Sequence, residues 1–443
     1  MDMGSSSVRS SLWDTGGEPV GEAAKLAYQR RTAPDGTAQV DAEALLDLAA
    51  QAIDAALATG NGVSAVAMST MWHCLLGLGA DGTPATPVYT WADRRAADAA
   101  AQLRERLDER AVHARTGCPL HSSYWPAKLA WLRASAPGAV ARVRAWVSPG
   151  EFVHRRLFGD APVGTSMASA TGLLDQHRRR WDREVAEAVG AADALPAIDD
   201  APLRGLRDEW ARRWPALRDV PWFPAVGDGA CSNVGTGCVT HDRAALMVGT
   251  SGAMRVMWAA DDVPIPPGLW CYRVDARHVL MGGALSDGGS VVAWLRRLTR
   301  LPSPEEAERE IAAMAPDSHG LTVLPLLSGE RGPGWADEAG AAVAGLSLAT
   351  EPIHLLRASL EAVALRFALI DELLMKALPE ERHVIATGGA LVASPAWTQI
   401  MADALGRPVT ASAVQEGSSR GAALLALEAL GEIDSLEAAA VPL

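Results

Sequence analysis

At 443 residues the chain is too long for one ordinary hydrophobic core, so two domains of about 200 residues with a cleft between them are expected. A formal net charge of −13 excludes the basic face that nucleic acid requires, and no apolar run approaches the roughly 20 residues that span a bilayer. Five cysteines without a Cys-x-x-Cys pair give neither a disulfide framework nor a zinc site, so a soluble cytoplasmic protein acting on a small molecule is expected.

The chain opens with Met1-Asp2-Met3-Gly4-Ser5-Ser6-Ser7-Val8-Arg9, which reads as strand, polar turn and strand. A strand leading into such a turn needs about five apolar residues, and only Met1 precedes Asp2. Either the start lies further upstream or the first strand is cut short, and a cut strand would loosen the site it supports. Asp41 to Leu57 has apolar residues at helical spacing, closed by Gly60-Asn61-Gly62. Val63 to Ser69 reads as a buried strand that runs into Thr70-Met71-Trp72-His73, and strand ends favour ligand residues in α/β sheets. Trp72 can stack there on a polyol; His73 either hydrogen-bonds it or is a satisfied core histidine.

Trp91-Ala92-Asp93-Arg94-Arg95 leads into a helix expected from Arg94 to about Arg115, with Asp93 as its cap. The loop from Thr116 to Pro126 is rich in hydrogen-bonding and aromatic groups, Tyr124 among them. Lys128 follows on a short helix, as a snorkelling surface lysine or as a partner for an anion.

The central stretch runs from Ala225 to Arg255. Asp228 stands between Gly227 and Gly229, small neighbours that leave its carboxylate open to another molecule at the start of a helix. Val248-Gly249-Thr250-Ser251-Gly252 closes an apolar strand with a turn that offers N–H groups and two hydroxyls to an anion. This turn and its Arg255 resemble Gly4 to Ser7 with Arg9, so a duplicated fold gripping a polyphosphate from both sides is expected. Further on, Gly288-Gly289 opens a helix whose N-terminus is expected to face phosphate, and Ser303-x-x-Glu306 is a capping box. Pro352 to Leu378 should be a major core helix. His383 to Thr387 is a strand running into Gly388-Gly389-Ala390, a seat for a nucleotide base or ribose, and Glu416 opens a final helix.

In this order, eight motifs resemble the FGGY carbohydrate kinases of the actin-like ATPase superfamily over nearly the whole chain. They are Asp2 to Ser7, Trp91-x-Asp93-x-Arg95, Ala168 to Asp175, Gly227-Asp228-Gly229, Val248 to Gly252, Gly329-Glu330-Arg331-x-Pro333, Thr387 to Ala390, and Glu416-x-Ser-Ser-x-Gly421. Ser69-Thr-x-Trp72-His73 and Thr116-Gly-x-Pro-x-His121 look most like the gluconokinase branch.

The resemblance implies an α/β fold of two ribonuclease-H-like (actin-like ATPase) domains flanking a cleft. Residues 1–240 would bind sugar and phosphate, and residues 241–443 would bind the nucleotide. It implies ATP and Mg2+, with the γ-phosphate passing to a terminal hydroxyl of a sugar or sugar acid. Gluconate, giving 6-phosphogluconate, is the first choice. The alternatives are another FGGY kinase for xylulose, a different ketose or a polyol, and a non-catalytic sugar- or nucleotide-binding relative. A monomer and a homodimer stay open.

Residue by residue, the resemblance makes Asp228 the general base and lets Asp2 place the metal through water. Ser5, Ser6, Ser7, Arg9, Gly249, Thr250, Ser251 and Gly252 would hold the transferring phosphate. Gly289, Gly388, Gly389 and Ala390 would line the nucleotide, while His73, Trp91 and Tyr124 would meet the sugar beside Trp72. Gly229 occupies a place where glycerol and xylulose kinases often carry an amide; losing that polar contact suits the gluconokinase branch.

Overall fold

Each half of the chain is built on one mixed sheet. The structure is a computed structural model describing residues 1–60 and 62–439; Asn61 of the expected turn lies outside the described residues. In the first half, β1 (Asp2–Met3), β2 (Ser7–Trp13), β3 (Pro19–Ala27), β4 (Ser69–Thr70) and β5 (Val226–Gly227) lie in the order β5–β4–β1–β2–β3. In the second, β6 (Arg243–Val248), β7 (Gly252–Ala259), β8 (Trp270–Arg273), β9 (His278–Leu285), β10 (His383–Thr387) and β11 (Val409–Ala411) run β11–β10–β6–β7–β9–β8. Without the edge strand β8, the two sheets share strand order and strand direction: a three-stranded antiparallel meander with two parallel strands on its far side. The duplication suggested by two short turns therefore extends to the entire sheet.

The strands of the second sheet are near-continuous apolar runs because both faces are covered, and all eight residues of β9 are buried. In the first sheet β1 is only two residues long, yet it has registered neighbours on both sides. Asp2 faces Arg9 on β2 and Ser69 on β4. The strand expected over Val63 to Ser69 is much shorter, since β1 offers only Asp2 and Met3 to pair with; Val66 makes just an isolated bridge to Trp222.

The helices that bear on the site are α1 (Ala42–Leu57), α2 (Asp228–Gly235), α3 (Gly289–Leu298), α4 (Pro352–Ala377), α5 (Gly389–Val392) and α6 (Gly417–Leu430), with others between them. Asp41 caps α1 by accepting the Ala44 N–H at 2.8 Å, and the Ser303/Glu306 capping box opens a helix over Pro304–Ala313. Two local expectations are corrected. The helix expected from Arg94 to Arg115 is two helices, Ala97–Arg106 and Glu109–Thr116, and Asp108 caps the second. Asp93 caps neither, because its carboxylate takes the Ala38 N–H at 3.1 Å and the Arg95 guanidinium at 2.6 Å. Lys128 is not at the surface. It is 1% exposed, with Nζ donating to the carbonyls of His73 (3.2 Å) and Ser123.

The halves are joined where α2 crosses α6. A Cβ on Gly235 would lie 1.9 Å from the Gly417 carbonyl oxygen, and one on Gly421 would lie 1.8 Å from that of Cys231. Only hydrogen fits at either point. A second seam forms around β8, where the Cys271 N–H reaches the Gly117 carbonyl at 3.0 Å and the Arg273 N–H reaches Ser169 Oγ at 2.8 Å. All five cysteines are buried and unpaired. Among the described residues no helix is long and apolar enough to cross a membrane.

The crossing gives a direct test. Gly421→Ala forces the two helices apart and is expected to cost about 1–3 kcal/mol, read as a lower urea midpoint; an unchanged midpoint would contradict the tight crossing.

Candidate active site

Strand β5 ends at Gly227 and the chain turns directly into α2, whose first residue is Asp228. The glycines beside it answer to packing. A Cβ on Gly227 would fall 1.8 Å from the Trp72 ring, and one on Gly229 would fall 2.6 Å from both Trp72 and Arg255 Nη1. The room attributed from sequence to an approaching ligand is thus filled, on this side, by an indole and a guanidinium. Trp72 is 5% exposed, donates from Nε1 to the Ser166 carbonyl at 3.2 Å, and packs edge-on against Tyr272. It is a plate supporting Asp228, with its ring engaged by protein.

Asp228 itself is half-buried and accepts the Gly229 N–H at 2.9 Å. Burial, and then the like charge of Asp2, push its carboxyl up to about 6, against the opposing pull of Arg255. Arg255 is 5% exposed, its Nε and Nη2 have no partner among the described residues, and burial brings it down to about 10. Sequence reading gave Arg255 no role of its own. The signal was its likeness to Arg9, since both arginines follow a hydroxyl-bearing turn.

Asp2 is the second carboxylate. Oδ2 takes Arg9 Nη1 at 3.1 Å, whereas Oδ1 is buried with no partner. Burial raises its pKa and Arg9 opposes the rise. Arg9, expected to hold phosphate, is shared at 3.1 Å with Glu416, a residue in left-handed backbone (φ 55°) at the start of α6. No group of three or more His, Cys, Asp or Glu side chains suited to a metal occurs among the described residues. A bare buried carboxylate oxygen nevertheless fits Mg2+, which keeps several waters and takes one or two carboxylates together with substrate phosphates.

Two hairpin tips carry the hydroxyls. At the first, Ser5 Oγ accepts Trp91 Nε1 at 3.3 Å, Ser6 is exposed, and Ser7 Oγ is buried without a partner; the Tyr28 hydroxyl tethers Gly4 at 2.7 Å. At the second, Thr250 is exposed and Ser251 half-buried, while Gly252 lies against Phe367 of α4. The amides at the start of α3 do not face an anion, contrary to expectation. Gly288 and Ser290 both donate to the Thr250 carbonyl at 3.0 Å, and Gly289 donates to that of Gly249 at 2.8 Å, so they hold the tip in shape. Gly289 has Ala390 as its neighbour, 2.8 Å from where a Cβ would be, and Gly389 borders open space. Gly388 is in left-handed backbone (φ 88°) against the Val248 carbonyl.

His73 is also left-handed (φ 63°), unusual for a residue with a Cβ. Lys128 holds its carbonyl, and its Nδ1 bonds the Ala170 carbonyl at 2.7 Å, which sets the Nδ1–H tautomer. Burial, and then the Arg331 charge, keep the ring neutral, so Nε2 is an acceptor. Tyr124 is 1% exposed and its hydroxyl meets that of Tyr272 at 2.5 Å. Offered from sequence for the sugar, it is engaged across the seam instead. Trp91 lies beside Arg30 and Arg331, at 5.7 and 5.3 Å from its ring.

The site therefore combines a carboxylate poised near neutrality, a second carboxylate with a bare oxygen, and two hydroxyl-bearing tips. That set can position a hydroxyl and neutralise a phosphoryl group.

Comparison with known proteins gives the same direction. The model of the FGGY family of carbohydrate kinases, N-terminal domain, matches residues 1–235, and that of the C-terminal domain matches residues 244–430. The chain is similar to the gluconokinase of Bacillus subtilis (strain 168), with 28% identity over 390 residues that cover 85% of this chain and 76% of the relative. The crystal structure of gluconate kinase from Lactobacillus acidophilus matches with a TM-score of 0.90 at 28% identity, covering 99% of this chain and 90% of that one. The ligand-bound xylulose kinase from the same organism matches with the same score, identity and coverage. With both models matched in order, the chain belongs to the FGGY family of carbohydrate kinases, phosphotransferases that take an alcohol group as acceptor.

Proposed function

We propose that this ATP-dependent sugar kinase phosphorylates gluconate at its terminal hydroxyl. The observation that carries the reading is Asp228: a half-buried carboxylate, pushed up to about 6, standing at a helix start beside Asp2. A general base works best with a pKa near the operating pH. The gluconokinase and gluconate kinase relatives support the choice of acceptor.

ATP would supply the phosphoryl group, and Asp2 would hold a magnesium ion, which when bound would neutralise charge on the phosphate oxygens. Asp228 accepts the proton of the acceptor hydroxyl as the new O–P bond forms and the bond to the leaving diphosphate breaks. Ser5, Ser6, Ser7, Thr250 and Ser251 cradle the transferring group from both tips. His73, through neutral Nε2, accepts a hydrogen bond from a sugar hydroxyl and fixes the substrate's rotation. Residues 1–240 carry the sugar contacts and residues 241–443 the nucleotide seat at Gly289, Gly388, Gly389 and Ala390. Five buried thiols suit a reducing cytoplasm.

A substrate panel with ATP and magnesium, read as ADP release, tests the acceptor: gluconate should give the highest kcat/KM, and a higher value for xylulose would replace it. Asp228→Asn should lower kcat by about 10²–10⁴-fold with little change in nucleotide affinity. Because Asp228 works ionised, kcat should fall as the pH drops through about 6. Arg255→Met removes the charge that favours ionisation and should move this limb to higher pH; an unmoved limb would detach Arg255 from the base. Stability should run the other way. The folded value lies above the ordinary 3.8, so the ionised carboxylate penalises folding increasingly from about pH 4 to 6 and fully above it. Asp228→Asn should therefore melt above the wild type at pH 8.

A further inference from the structure

The carboxylates around the sugar side of the cleft are already engaged. Asp93 holds Arg95, Asp337 holds His121 and Ser122, Glu330 pairs with Arg366, and Asp2 holds Arg9. Two guanidinium groups are left over. Arg30 Nη1 and Arg331 Nε are buried without a hydrogen-bond partner, and neither arginine forms an ion pair among the described residues. Both side chains lie over Trp91, whose Nε1 reaches Ser5. An arginine stacked on an indole has its plane fixed and its edge N–H groups free, which suits two-point recognition of a planar carboxylate.

The cations sit around Trp91, between the first hairpin tip at Ser5 and the residues near His73. The charge of Arg331 acts on His73, His121, Tyr124 and Lys128, and that of Arg30 acts on Tyr28 and Cys74. A neutral sugar would leave this surplus positive charge half-buried and uncompensated. A sugar acid neutralises it.

We propose that Arg30 and Arg331, ordered by stacking on Trp91, form a clamp for the substrate's carboxylate and make the site select aldonates over neutral sugars and polyols. The clamp rests on the gluconate reading above and adds the residues that enforce it.

The test compares gluconate with glucitol, which carries a CH2OH group in place of the carboxylate, in wild type, Arg331→Gln, Arg30→Gln and the double variant. Each single change should raise KM for gluconate about 10- to 100-fold and shrink the gluconate-to-glucitol ratio of kcat/KM, with KM for ATP changing far less. Arg331→Lys should recover part of the loss by restoring charge without the planar fork. An unchanged ratio in the double variant overturns the clamp while leaving the gluconate reading intact. A rise in KM for ATP in place of gluconate also overturns it and gives the pair to the nucleotide phosphates. Wild-type turnover of glucitol or xylulose without gluconate removes both readings together. Should the glutamine variants fail to fold by circular dichroism, wild type decides: raising KCl from 0.05 to about 0.5 M should weaken gluconate more than glucitol, and equal weakening counts against the clamp.

Discussion

Asp228 feels the charge of Asp2, burial raises the pKa of both carboxyls, and the architecture of the cleft answers to that electrostatic strain. Each receives its own arginine from the second strand of an equivalent hairpin. Arg9 on β2 faces Asp2 directly in register, and Arg255 on β7 passes beneath Gly229. The duplicated sheet thus delivers one countercharge per acid. The compensation is unequal. Arg9 makes a close ion pair with Asp2, whereas Arg255 keeps two nitrogens unpartnered beside Asp228. A tighter pair at Asp228 would stabilise the fold and weaken the base.

The base is positioned by the opposite half of the chain. Helix α2 begins at Asp228 and ends at Gly235, where α6 presses to within a hydrogen atom's width. The Ser418 hydroxyl of α6 also approaches the Asp228 carbonyl, at 3.4 Å. Any rotation of one half against the other is therefore carried straight to Asp228, the proposed base. The seam at β8 acts in the same sense, since Tyr272 reaches Tyr124 and packs on Trp72, the plate under the base.

Much of this was legible in the chain. Short turns rich in hydroxyls, Gly-Asp-Gly, and strands running into glycines announce their backbone geometry locally, so the two hairpin tips, the long α4 and the helix start at Asp228 could be read directly, while the paired domains came from the family resemblance. What escaped depends on partners distant in sequence. Nothing near Tyr124 shows that its hydroxyl meets Tyr272, 148 residues later. Nothing near Lys128 shows that it is buried on a carbonyl. The amides of α3 were read as an anion site because a glycine-rich helix start has free N–H groups in isolation; here the Thr250 hairpin consumes them. Arg331 stood in a motif without a role of its own and Arg30 in none, and only the fold reveals that both stack on Trp91 while neighbouring acids are committed elsewhere.

The cysteines carry a consequence of another kind. Cys231 lies at the α2–α6 crossing, Cys118 and Cys271 flank the β8 seam, and Cys74 follows His73; burial drives the thiols up, Cys74 and Cys271 to about 12. An alkylating reagent needs the thiolate, so in the folded protein these sulfurs are chemically silent. Their modification rate is thereby a clock for opening of the packing that covers them, built into the protein without a label.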